Sequence, residues 1–95
     1  MSELLTGEQL DRERARVPEW EVVDGERLQR SFAFRDFAGA LAFVNLVGEL
    51  AERRNHHPDI SFGWGKATVT LTSHDAGGLT ERDLALAEEI DHLPT

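Results

Sequence analysis

Residues 52–75 read ERRNHHPDISFGWGKATVTLTSHD, and the architecture of the chain follows from them. His56-His57-Pro58 ends whatever helix precedes it, because the residue before a proline is pushed out of helical space. Two alternating runs come next. Ile60, Phe62 and Trp64 share one parity, and Gly65-Lys66 turns the chain. Then Ala67, Val69 and Leu71 face one way, while Thr68, Thr70, Thr72 and His74 face the other. A period of two bounded by turn residues predicts a pair of strands with one buried face. It also ends His74 on the polar face rather than in the core.

Upstream, Asp36 can cap a long helix running to about Arg54. Between Phe37 and Ala51 only Asn45 and Glu49 are conventionally polar, and with Glu52 they form one narrow stripe. A helix apolar over most of its circumference needs cover on two sides. A second copy of the same helix supplies it most simply, as a self-complementary contact; burial under the chain's own terminal helices is the alternative. On the dimer reading Val44 and Val47 are candidate solvent-side positions. Earlier still, Leu28, Phe32 and Phe34 share a strand parity that Arg30 interrupts, and Asp24-Gly25 is a hairpin turn signal.

The two ends of the chain are punctuated alike. Thr6 and Gln9 fit a capping box with Leu5 and Leu10 as its staple, and Pro18 stops the first helix. Thr80 and Asp83 fit a second box with Leu79 and Leu84 as staple, and that helix ends before Pro94. The order is α-β-β-α-β-β-α. This predicts one α+β domain over residues 1–95, a four-stranded antiparallel sheet covered by helices.

Composition narrows the function. The 95 residues carry 10 Lys+Arg against 18 Asp+Glu, a formal charge of −8. That balance argues against a nucleic-acid partner, which needs clustered Lys and Arg, and no basic amphipathic segment points to a membrane surface. The absence of cysteine excludes disulfides, thiolate metal sites and a Cys nucleophile. With no signal-peptide pattern and no long apolar run, the chain reads as a small soluble acidic domain of the cytoplasm.

Chemistry concentrates in His56, His57 and His74, all at ends of elements, where side chains converge on rigid supports. Glu52, four residues before His56, can sit beneath that ring and hold one tautomer. Three readings stay open on spacing alone: acid/base chemistry, a three-imidazole metal site, and unconnected surface histidines. Adjacent histidines are poor co-ligands when extended, and the usual H-x-H and H-E-x-x-H spacings are absent. Asp83 sits where a helix cap needs it, Trp64 reads as a hairpin packing residue, and His92 as solvated.

Glu52-x-x-x-His56-His57-Pro58, five residues to Trp64, nine more to His74 and eight more to Asp83 form a specific pattern. By it the chain resembles the pterin-4a-carbinolamine dehydratases. Phe32-x-Phe34-x-Asp36-Phe37 and the run from Ser73 to Asp83 are similar too, so the likeness extends from about Thr6 to Asp91. It implies an enzyme that dehydrates a 4a-hydroxytetrahydropterin to the quinonoid dihydropterin, recycling the cofactor of aromatic amino-acid hydroxylases. It implies catalysis by His56, His57 and His74, with no metal or redox cofactor. Asn55, His56, His57, Thr72, Ser73, His74 and Asp75 would line the pterin pocket, supported by Glu52, Trp64 and Asp83. The resemblance further implies a homodimer or homotetramer. Some members act without catalysis, one as a dimerisation cofactor of a homeodomain transcription factor, others as assembly factors for a carbon-fixing enzyme. The latter tend to lack the histidine set that is intact here.

Overall fold

The central strand pair explains the rest of the molecule, a computed structural model that describes residues 3–94. In chain order the elements are α1 (Gly7–Glu13), a short 3-10 turn (Arg14–Arg16), β1 (Glu21–Val23), β2 (Arg27–Ala33), α2 (Phe37–Arg54), β3 (Asp59–Gly63), β4 (Lys66–Leu71) and α3 (Glu81–Asp91). The strands form one sheet in the order β1-β2-β4-β3, every neighbour antiparallel. The α+β order expected from the sequence is therefore the observed one.

Two hairpins meet along β2 and β4, with Leu28 opposite Leu71 and Phe32 opposite Ala67. The first turns at Asp24-Gly25, both at positive φ (54° and 70°), as a type I′ turn demands. The second turns at Trp64-Gly65, one residue earlier than the sequence reading placed it, and Lys66 already belongs to β4. Gly65 has φ 75°, and a Cβ there would stand 3.2 Å from the Phe34 carbonyl oxygen. Only glycine suits both conditions.

One face of the sheet is apolar. Leu28, Phe32, Ala67, Val69 and Leu71 pack against Leu10 and Val17, against Phe43, Val47 and Leu50 of α2, and against Leu84, Ala87 and Ile90 of α3. The opposite face carries hydroxyls, with Ser31 Oγ 2.8 Å from Thr68 Oγ1 and Gln29 donating to Thr70. Arg30 breaks the apolar parity without cost to the core. Its guanidinium lies 4.4 Å from the Phe32 ring centroid and donates to Asp91, which also accepts from the Trp20 indole N–H. Both capping boxes are formed, Thr6 with Gln9 and Thr80 with Asp83.

Val44 and Val47 are not solvent-side positions. Val47 is fully buried and Val44 packs against the core, because α2 turns its Ala40-Phe43-Val47-Leu50 stripe onto the sheet. Among the described residues the large apolar side chains that are exposed are instead Phe37 and Leu41 on α2, Phe62 on β3 and Trp64 in the turn, with Leu4 near the start. No helix among the described residues is long and apolar enough to cross a membrane.

Candidate active site

The site begins where α2 ends. Asn55 adopts the left-handed conformation (φ 50°, ψ 42°), and the His56 N–H closes back on the Ala51 carbonyl at 3.1 Å. This Schellman-like reversal sends the next two side chains in different directions. His56 turns inward and is buried, its Nε2 2.6 Å from Asp83 Oδ1. His57 stays on the surface, its Nε2 2.5 Å from Glu52 Oε2. Glu52 therefore serves His57 and not His56. The one-turn spacing to His56 applies only while the helix continues, and it stops at Arg54.

Asp83 is more than a cap. Its carboxylate is wholly buried; Oδ2 accepts from the Thr80 N–H at 2.9 Å and from Ser73 Oγ at 2.8 Å, while Oδ1 faces His56. A buried carboxylate costs several kcal/mol of desolvation unless its lone pairs are engaged, and here they are. The charge is held by three separate elements: the α2–β3 link, the loop after β4, and α3.

His74 comes from that loop. Ser73 and Gly78 bridge its base, and His74 itself is exposed at the end of the hydroxyl-bearing parity, as the alternation predicts. The β3–β4 register, with Asp59 opposite Thr70, runs the segment before β3 alongside the segment after β4. The histidine pair and His74 thus issue from the same end of one hairpin. Asp75 accepts from Arg82 at 2.7 Å, and that guanidinium holds its carboxyl below the usual range. Thr72 donates to the Glu26 carbonyl at 2.8 Å.

Trp64 and His92 fall elsewhere. Trp64 lies at the opposite end of the hairpin, 75% exposed, so it neither packs the turn nor approaches the histidines of its own chain. His92 is exposed and donates from Nδ1 to the Glu88 carbonyl. Ser73 is only 1% exposed, and its hydroxyl is engaged with Asp83. The signal was present in the sequence, since Ser73 continues the buried parity of Ala67, Val69 and Leu71. Among the described residues no three His, Asp or Glu side chains stand close enough to share a metal ion.

A hollow of about 690 Å³ runs along the exposed face of α2 past Asn45, Gly48, Glu49, Glu52 and Arg53 and touches no histidine. A smaller cleft of about 180 Å³ does, lined by Arg54, His56, Arg82, Ala85 and Leu86.

The profile of the pterin 4 alpha carbinolamine dehydratase family matches residues 3–93. The chain belongs to that family. A relative from Rubrobacter xylanophilus, provisionally named a pterin-4-alpha-carbinolamine dehydratase, is 56% identical over 89 residues, covering 94% of this chain and 83% of that one. Another from Thermosynechococcus vestitus, with the same provisional name, is 44% identical over 93 residues, covering 98% and 97%. Among solved dehydratase-family structures, a transcriptional coactivator/pterin dehydratase from Brucella melitensis superposes with a TM-score of 0.85 at 32% identity, over 92% of this chain and 94% of that one. A pterin dehydratase-like protein described as a RuBisCO assembly factor in the alpha-carboxysome gives 0.65 at 29% identity, over 77% and 86%.

Proposed function

We propose that this chain dehydrates a 4a-hydroxytetrahydropterin to the quinonoid dihydropterin, with histidines as acid and base and without metal or redox cofactor. The observation that carries this reading is the pairing of two adjacent imidazoles with separate carboxylates, His56 with Asp83 and His57 with Glu52, beside the loop of His74. A carboxylate only accepts, so each of these Nε2 atoms bears the hydrogen. That leaves Nδ1 as the atom that takes a proton from substrate or, once protonated, returns one.

The chemistry needs both actions. The C4a–O bond breaks with its electron pair going to oxygen, which takes a proton from an imidazolium and leaves as water. The neighbouring ring N–H gives its proton to a neutral imidazole, and its electron pair becomes the new C=N bond. One proton is given and one taken, so the site keeps its charge. Histidine does both near neutral pH because its unperturbed pKa is about 6.5. His57 and His74 are the exposed pair that would meet the pterin, bordered by Asn55, Thr72 and Asp75. Recycling of the pterin used by an aromatic amino-acid hydroxylase, in the cytoplasm, is the setting this reaction implies.

The reading includes a homodimer or homotetramer. The Phe37 and Phe62 rings lie 5.4 Å apart, tilted by 35°, with both side chains exposed; Leu41 lies one turn along α2, and Phe62 and Trp64 share a hollow. Association through this surface removes it from water. The likeness to a RuBisCO assembly factor supports a second, non-catalytic reading, which the intact histidine set disfavours.

Stopped-flow mixing with freshly generated 4a-hydroxytetrahydropterin tests the activity. Dehydration faster than the buffer-only control is expected; a rate equal to that control sinks the enzymatic reading.

A further inference from the structure

We propose that Ser73 is a positioning residue, whose hydroxyl completes a one-way chain of hydrogen bonds that fixes His56 while its backbone fixes the loop carrying His74. With Asp83 ionised, the donors in this buried set follow from the heavy-atom contacts. Asp83 is a carboxylate and only accepts; the Arg82 backbone N–H only donates. Ser73 Oγ lies 2.8 Å from Asp83 Oδ2 and must give its single hydrogen there. Thr80 Oγ1, 2.9 Å from Ser73 Oγ, therefore donates to it, and receives the Arg82 N–H at 3.2 Å. The chain runs from Arg82 through Thr80 and Ser73 into Asp83, and the His56 N–H enters the same carboxylate from its other oxygen.

Each hydroxyl in this chain gives one hydrogen and receives one. Reversing any hydroxyl would leave a donor facing a donor in a site closed to water, which costs a buried hydrogen bond. The Asp83 carboxylate thus has one orientation, and with it the His56 ring. Ser73 acts on His74 through its main chain. Its N–H donates to the Gly78 carbonyl, and its own carbonyl accepts from Ala76, Gly77 and Gly78. One residue, 1% exposed and reaching no solvent, therefore sets two histidines from different elements relative to each other.

The catalytic consequence rests on the dehydratase reading; the positioning itself does not. NMR of the wild-type protein should show a slowly exchanging imidazole hydrogen on His56 Nε2. In Ser73→Ala that signal should broaden through faster exchange. Turnover should then fall about 10²-fold with KM changed by no more than about twofold, the pattern of a mispositioned group rather than lost binding. Ser73→Thr keeps the hydroxyl and should restore both. A slow hydrogen on His56 Nδ1 in the wild type, or a folded Ser73→Ala with unchanged His56 signal and turnover, overturns the proposal. If Ser73→Ala does not fold, the wild-type spectrum decides. A wild type without dehydratase activity would count against the enzymatic reading, and the His56 signal would still test the positioning.

Discussion

Glu52 reaches His57, five residues further along the chain, and leaves its one-turn neighbour His56 to Asp83. The two carboxylates differ in kind. The Glu52 and His57 side chains are 77% and 54% exposed, whereas Asp83 is sealed in the core. An exposed pair adds less than about 1 kcal/mol to stability. Glu52→Ala should therefore leave the urea midpoint almost unmoved while slowing turnover, by less than loss of the imidazole itself. A variant as fast as wild type would show that Glu52 does not orient His57 in catalysis.

His57→Ala and His74→Ala should each slow turnover by about 10²–10⁴-fold if the ring moves a proton in the transition state. Both side chains are exposed, so circular dichroism and thermal melting should match wild type. Full activity in either folded variant removes that histidine from the mechanism.

Asp83→Ala should be costly in a way a cap alone is not. Loss of a cap costs about 0.5–2 kcal/mol. Leaving a buried donor without its acceptor costs about 1–3 kcal/mol for each group, because the groups left behind stay dry and unpaired. Here these are His56, Ser73 and the Thr80 N–H. Denaturant unfolding distinguishes the two, and a loss inside the cap range would mean the His56 contact contributes nothing to the fold.

Stability should fall on acidification through the Arg16 cluster. Arg16 bridges the 3-10 turn to α3, donating to Glu13, Glu81 and Glu88. Its guanidinium, first through hydrogen bonding, holds the Glu81 carboxyl below its ordinary 4.5. A depressed folded value means the stabilisation is complete above the unfolded pKa and disappears as pH falls through the folded one. Urea midpoints measured downward from pH 6 should decline below about 4.5 in wild type, and less steeply in Arg16→Gln. Parallel declines would assign the acid sensitivity elsewhere.

Leu41→Asp or Phe62→Asp should convert an oligomer of two or four copies to a monomer in light scattering at micromolar concentration. Both side chains are exposed, at 40% and 38%, so neither charge enters the core. A wild type that already runs as a monomer contradicts self-association through this surface.

Turnover should persist in the presence of a chelator. Activity that vanishes with chelator and returns with zinc would replace proton transfer by imidazoles with metal chemistry.

Much of this protein is legible in one dimension because local rules govern it. The alternation from Ala67 to His74, the caps at Thr6 and Thr80, and the Asp24-Gly25 turn each depend on neighbours a few residues away. They determine the element order, and by parity the exposure of His74. Which side chains meet across 10 to 27 residues is set by the path of the backbone between elements. The left-handed Asn55 redirects the chain, so His56 leaves Glu52 for Asp83, and spacing on an ideal helix could not foresee that. The orientation of α2 follows the same logic. Val44, Val47, Phe37 and Leu41 are equally apolar as letters, and only packing against the sheet separates the first two from the others. Residue type and periodicity specify the pieces; burial, which depends on every element at once, assigns their partners.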